Sequence, residues 1–156
     1  MYSFDASSMI HAWDNYPIEN SHFNSLWEWF SEQIKQKEFI FSKIAFDEIN
    51  HKIPECGEWL KNNDVETYPL STDAILQAQS IKVLLGIEEE EYTKGVGEND
   101  LFIISIAKIY NSILITEESR QLVLPIKKSN YKIPAVCGLD EVNVSCKSFI
   151  DLLKVL

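Results

Sequence analysis

The chain has few cysteines, few turn-forming residues and no excess of positive charge, and each shortage removes a class of protein. Its three cysteines, Cys56, Cys137 and Cys146, are odd in number and widely spaced. They fit neither a disulfide framework nor a zinc pattern with His51, and read as reduced thiols. Glycine and proline supply only five residues each among 156, which excludes collagenous, linker-rich and low-complexity chains. No apolar run reaches the ~18 residues of a membrane span, and no secretory signal opens the chain. The expectation is a soluble cytoplasmic protein without membrane contact. Fourteen basic residues stand against twenty-four acidic ones, a net charge of −10. Such a chain does not coat nucleic acid by bulk charge, although it can still touch it locally through a bound cation. Neither Gly-x-Gly-x-x-Gly nor a P-loop occurs, so the usual nucleotide cradle is missing. Glu48-Ile49-Asn50-His51 is a Glu-x-x-His pair without the second copy that a di-iron bundle needs. Asp5-Ala6-Ser7 lacks the second acid of an Asp-x-Asp phosphatase.

What is present is one domain's worth of alternating short apolar runs and helical periodicities. Tyr2-Ser3-Phe4 predicts a strand ending at Asp5, and Ser7 or Ser8 a cap for a helix over about Ser8–Asn15. Phe23, Leu26, Trp27, Phe30 and Ile34 predict a helix over roughly His22–Gln36, and Glu38–Phe41 a second strand. A helix through Ile44, Phe46, Glu48 and Ile49 follows; Pro54 and Gly57 interrupt it before a turn at Glu58–Asn62. Ala74–Leu85 is a helix closed by Gly86, and Asn99 or Asp100 opens an apolar helix through Leu101–Tyr110. Ser112–Thr116 is an aliphatic run typical of a strand buried on both faces. Val142–Ser145 predicts a last strand and Lys147–Leu156 a last helix. This alternation predicts an α/β sandwich around a mostly parallel sheet, with its site at the carboxyl ends of the strands.

Acids stand where those ends fall. Asp5 closes the first strand, Glu117 and Glu118 follow the aliphatic one, Asp100 opens the helix feeding it, and Glu48 lies on the helix after the second strand. Carboxylates gathered together repel one another unless a cation sits between them, and hard oxygen donors suit Mg²⁺ or Mn²⁺. Each acid also has a plain structural reading. Asp100 can be a helix cap, Glu117 and Glu118 a solvated turn, and Glu48 a surface helix residue; Asp5 fits such a reading least.

The order of these motifs resembles the PIN domain, a family of metal-dependent nucleases that includes the toxin halves of many toxin–antitoxin pairs. The resemblance rests on Tyr2-Ser3-Phe4-Asp5-Ala6-Ser7-Ser8, on Ala45-Phe46-Asp47-Glu48-Ile49, on Asn99-Asp100-Leu101-Phe102 and on Ile113-Leu114-Ile115-Thr116-Glu117-Glu118. The tail Lys132-Ile133-Pro134-Ala135-Val136-Cys137 with Val142–Cys146 looks like one PIN-like subfamily. It implies a single PIN-like domain over residues 1–156, a three-layer α/β/α sandwich with a mostly parallel sheet of about four or five strands. Activity implied in this way is that of a Mg²⁺- or Mn²⁺-dependent endoribonuclease, with Asp5, Glu48, Asp100 and Glu118 as catalytic acids and metal ligands. Ser7 and Thr116 would orient ligands or the attacking water, and Lys127, Lys128 and Lys132, the one basic cluster, would contact RNA. An antitoxin protein is the implied partner, and a homodimer fits the family. The family's Thr-x-acid spacing selects Glu118 over Glu117, as does strand alternation if the strand runs past Thr116. The competing reading is a catalytically silent PIN-like module that binds a partner.

Overall fold

Five short strands carry the architecture. The computed structural model describes residues 1–155. Strands β1 (Tyr2–Phe4), β2 (Phe39–Ser42), β3 (Thr67–Tyr68), β4 (Ile113–Ile115) and β5 (Cys146–Lys147) form one sheet in the order β3-β2-β1-β4-β5. All four pairings are parallel, and Phe4 at the centre lies beside Phe41 and Ile115. The helices are α1 (Ala6–Asn15), α2 (Asn24–Lys35), α3 (Lys43–Lys52), α4 (Pro54–Asn62), α5 (Thr72–Leu84), α6 (Glu98–Ile109), α7 (Ile133–Cys137) and α8 (Phe149–Lys154). Among the described residues no helix is long and apolar enough to cross a membrane.

The period-two alternation of the strands divides the core in two. Phe4, Phe39, Phe41 and Ile115 face a layer built from α1, α2, α4 and α8. Leu114 faces the opposite layer, where Ala78 and Ile81 of α5, Leu101 and Ile104 of α6 and Val136 of α7 close the core. Phe4 and Phe30 are the hub of the first layer, their rings 5.3 Å apart, with Phe39 within 4.9 Å of both. Three of the four tryptophans, Trp13, Trp27 and Trp59, pack edge-on or tilted against one another at the rim of the same cluster. Helix α3 straddles both layers, with Ala45 on one side and Phe46 and Ile49 on the other.

Several boundaries differ from expectation. Helix α1 begins at Ala6 and is capped by Asp5, whose carboxylate accepts the Ser8 N–H, so neither serine is the cap. Pro54 opens α4 at its first turn, where the missing N–H costs nothing. Gly97, not Asn99 or Asp100, caps α6. The two-residue edge strand β3 and the short helix α7 were not expected. Between Val142 and Val144, both buried, Asn143 adopts φ 49°, which breaks the expected strand and moves β5 on to Cys146–Lys147. The expected last helix shrinks to Phe149–Lys154, and Leu156 lies outside the described residues.

One close approach braces the loop before α6. A Cβ on Gly95 would stand 2.4 Å from the Tyr131 carbonyl and 2.6 Å from that of Ser129, both backbone atoms. Next to it the Val96 N–H donates to the Tyr131 carbonyl at 2.9 Å, and the Thr93 hydroxyl donates to the Ser129 carbonyl at 2.9 Å. Gly95→Ala is therefore expected to cost about 1–3 kcal/mol in urea unfolding. Gly138→Ala, whose added Cβ meets nothing nearer than 3.5 Å, is the control and should lie within about 0.5 kcal/mol of the parent.

Candidate active site

The carboxyl ends of β1 and β4 are joined by a hydrogen-bond knot centred on Asp5, which is 3% exposed. Ser7 Oγ lies 2.8 and 2.9 Å from the two Asp5 carboxylate oxygens and donates to them, and the Ser8 N–H donates at 2.8 Å. The buried Thr116 hydroxyl donates to Asp5 Oδ2. In return Ser7 Oγ accepts the Glu117 N–H at 3.0 Å, and Thr116 Oγ1 accepts the Glu118 N–H at 3.1 Å. Ser8 Oγ lies 2.8 Å from the Ile115 carbonyl and 3.0 Å from that of Asp5, bridging the two strands. Ser8 was not foreseen as more than a cap, and the Ser7-Ser8 pair after the strand-end acid was its only signal.

Three further acids stand at the same edge. The Asp100 carboxylate accepts the Gly97 N–H at 2.9 Å at the start of α6, the one half of a capping box that a glycine cap allows. Its carboxyl pKa lies above the usual range, first because it is buried and then because Glu118 and Glu48 repel its charge. The Asn99 amide reaches Glu48 Oε1 at 3.4 Å. Strand β4 ends at Ile115, so alternation does not decide between the two glutamates. Their partners separate them. The Glu117 carboxylate accepts the Phe149 N–H at 2.8 Å at the start of α8, whereas Glu118 acts on Asp100.

None of the ion pairs among the described residues involves Asp5, Glu48, Asp100 or Glu118. The donor set is thus all hard oxygen, negative and uncompensated, which fits Mg²⁺ or Mn²⁺ in chemistry. It is not assembled in advance: among the described residues no three His, Cys, Asp or Glu side chains stand close enough to hold an ion. Each Asp5 oxygen already has two polar neighbours, Ser7 Oγ and the Ser8 N–H at Oδ1 and Ser7 Oγ and the Thr116 hydroxyl at Oδ2.

Lys127 and Lys128 are exposed and Lys132 is half-buried, all beyond Glu118 on the connection from β4 to α7. Gln121 staples the base of this connection, its amide donating to the Asn130 carbonyl at 3.1 Å and accepting the Lys132 N–H at 2.9 Å. Its tip is apolar and bare: Leu122 is 97% and Ile126 fully exposed, with Val123 between them at 87%.

Asp5 makes stability depend on pH with a definite sign. Burial raises its carboxyl pKa from 3.8 to about 6, against the opposing hydrogen bonds from Thr116, Ser8 and Ser7. Between those values the folded state binds more protons than the unfolded one. Its stabilising contribution is present below about 3.8 and lost as pH rises through about 6. Asp5→Asn should gain on the parent by roughly 2 kcal/mol between pH 4 and pH 7. Denaturant unfolding of both proteins across that range checks it; a difference independent of pH would refute the assignment.

No curated protein matches the chain. Among solved structures, VapBC2 from Rickettsia felis, bound to a DNA fragment from their promoter, is similar with a TM-score of 0.56. The identity is 17%, over 95% of this chain and 98% of that chain, so the likeness is one of fold. That fold is PIN-like, as the order of strands, helices and strand-end acids implies. A family model described as a domain of unknown function, DUF4411, matches residues 2–156, and the chain belongs to that family.

Proposed function

We propose that the chain is a divalent-metal-dependent endoribonuclease of PIN type, acting as the toxin of a toxin–antitoxin pair. The observations that carry this reading are the buried Asp5 at the carboxyl end of β1 and a buried Asp100 whose ionisation Glu118 and Glu48 oppose, with no cation paired to these acids among the described residues. Buried carboxyls whose ionisation is opposed by burial and neighbouring charge mark candidate functional sites. Asp100, Glu118, Glu48 and Asp5 would hold Mg²⁺ or Mn²⁺. Such an ion offsets charge on a phosphodiester and makes water more acidic. The residues around it do the positioning. Ser7 and Thr116 hold Asp5 in one orientation, and Asn99 steadies Glu48. Lys127, Lys128 and Lys132 would contact RNA phosphates, a local positive field on a chain of net charge −10. By analogy with the VapBC2 assembly an antitoxin is the expected protein partner, with a second copy of the chain as another.

A second reading has its own support. Asp5 caps α1 and Asp100 accepts the N–H of Gly97 at the start of α6, so both acids have structural work without any ion. On that basis the chain would be a silent PIN-like binding module. Calorimetric titration with Mn²⁺ separates the two, and no binding at millimolar concentration favours the silent one. The nuclease reading expects RNA cleavage with Mn²⁺ that stops on chelation, and a loss of about 10²-fold or more in Asp100→Asn.

Two further outcomes follow from the same electrostatics. Asp100→Asn keeps an oxygen for the Gly97 N–H and removes a repelled charge. It should melt higher than the parent without metal, by an amount of order 1 kcal/mol, yet gain less from added Mn²⁺. Glu118→Gln should weaken Mn²⁺ binding at least tenfold, about 1.4 kcal/mol, and Glu117→Gln less than about threefold. Titrating both single variants at one ionic strength tests the ranking, and the reverse order would assign the site to Glu117.

A further inference from the structure

Where the acids end along the sheet, two cations begin. The strand order β3-β2-β1-β4-β5 places Glu48, Asp5 and Glu118 after β2, β1 and β4 in turn, and the next strand along that edge is β5. An open cavity of about 230 Å³ lies there, lined by Thr116 and Glu118 from the acidic edge and by Arg120 and Lys147. Arg120 is exposed and Lys147 half-buried. The strand ladder places both. Ser145 and Lys147 turn their carbonyls to β4, accepting the Leu114 N–H at 2.8 Å and the Thr116 N–H at 3.0 Å. The Cys146 carbonyl between them is taken by the Arg120 guanidinium, which donates to it at 3.1 Å. That contact holds one end of a planar, five-donor fork at the cavity.

Neither cation is neutralised by a neighbour. Among the described residues no ion pair involves Arg120 or Lys147. The cavity's other acids have partners of their own: Glu117 accepts the Phe149 N–H, and Asp151 stands 3.8 Å from the Lys154 ammonium. Elsewhere Lys37 and Lys43 pair with Glu66 and Asp47, and Lys61 and Lys82 lie over the rings of Phe46 and Tyr92. Lys127, Lys128 and Lys132 stand farther along the connection to α7.

We propose that this cavity is a phosphate subsite, in which Arg120 and Lys147 hold the phosphodiester next to the one being cleaved. The inference rests on the nuclease reading and gives the RNA strand a direction, across the carboxyl edge of the sheet from the acids over β1 and β4 to the cations over β5. A polyanion that approaches clustered carboxylates is repelled, and an ion bound among them offsets charge only at the phosphate it touches. The neighbouring phosphate needs cations of its own. The Arg120 fork matches two phosphate oxygens at once, and Lys147 adds a point charge. Such a subsite grips the substrate equally before and during cleavage, so it acts on KM and leaves kcat.

The test follows Mn²⁺-dependent cleavage of a single-stranded RNA oligonucleotide and of a dinucleoside monophosphate, whose only phosphate is the scissile one. On the oligonucleotide Arg120→Ala should raise KM about tenfold with kcat within about threefold, and Arg120→Lys, which keeps the charge without the fork, should raise it less. Lys147→Gln should act in the same direction. Each lost charge should flatten the dependence of log kcat/KM on log salt by about 0.7. Lys35→Ala, exposed at the end of α2, is the control and should change neither. Binding of the labelled oligonucleotide in a chelator, read by anisotropy where nothing is cleaved, should follow the same ranking. On the dinucleoside monophosphate Arg120→Ala and the parent should be alike, which a merely structural role would not produce; should it be cleaved too slowly to measure, the salt dependence decides. Should Lys147→Gln fail to fold, the exposed Arg120 variants decide. An unchanged KM in Arg120→Ala, or an equal loss on both substrates, would overturn the subsite and leave the nuclease reading standing. A parent that neither binds nor cleaves RNA would overturn both.

Discussion

A buried carboxylate is costly, and Asp5 is the point from which the rest of this structure is organised. It sits at the end of the central strand, removed from water, and is retained because hydroxyls and a backbone N–H surround it. Those donors come from two places: Ser7 and Ser8 at the start of α1, and Thr116 at the end of β4. One side chain therefore sets where α1 begins, how the ends of β1 and β4 meet, and which way the chain turns towards Glu118. The aromatic layer around Phe4 and Phe30 supplies the burial, and the polar knot supplies the direction.

The acids at this edge are held by two opposing demands. Caps and hydrogen bonds favour ionised carboxylates at helix starts, where the N-terminal N–H groups point at them. Mutual repulsion and burial oppose it, and Asp100 feels both at once. A helix N-terminus facing a sheet edge thus gathers negative charge for structural reasons, and the same charge is what a cation requires. The two readings of this protein diverge on whether that second use is made.

Much of this was legible in the chain because it rests on short-range rules. The run Ile113–Ile115 is aliphatic because both faces of β4 are covered, and Phe23–Ile34 repeats at helical spacing because α2 lies on an aromatic layer. Asp5 stood out because an acid beside a core demands a reason. What escaped depended on long-range geometry. β3 is two residues long and exists only because β2 offers an edge. Val142 and Val144 look like strand residues, yet they bury themselves from a turn that Asn143 makes possible with a left-handed backbone. The partner of Glu117 is Phe149, some thirty residues onward, whose N–H no local spacing brings to it.

The bare stretch from Leu122 to Ile126 makes the chain divisible. It lies between β4 and α7, with Leu122, Val123 and Ile126 almost wholly exposed, and the connection is held at its base by Gln121, Thr93 and Val96. A protease cut there would remove no buried contact, yet it would leave α7, β5 and α8 as a separate piece. That piece owns Val136 and Phe149, which complete opposite layers of the core, and it stays bound through the β4–β5 ladder. Covalent continuity at this point is dispensable for the fold in a way it is nowhere inside the sheet. Nicking, insertion and rejoining of the chain ends elsewhere are best tolerated at such a place. Asp5, Asp100 and Glu118 would then lie on the first polypeptide and Phe149, whose N–H holds Glu117, on the second.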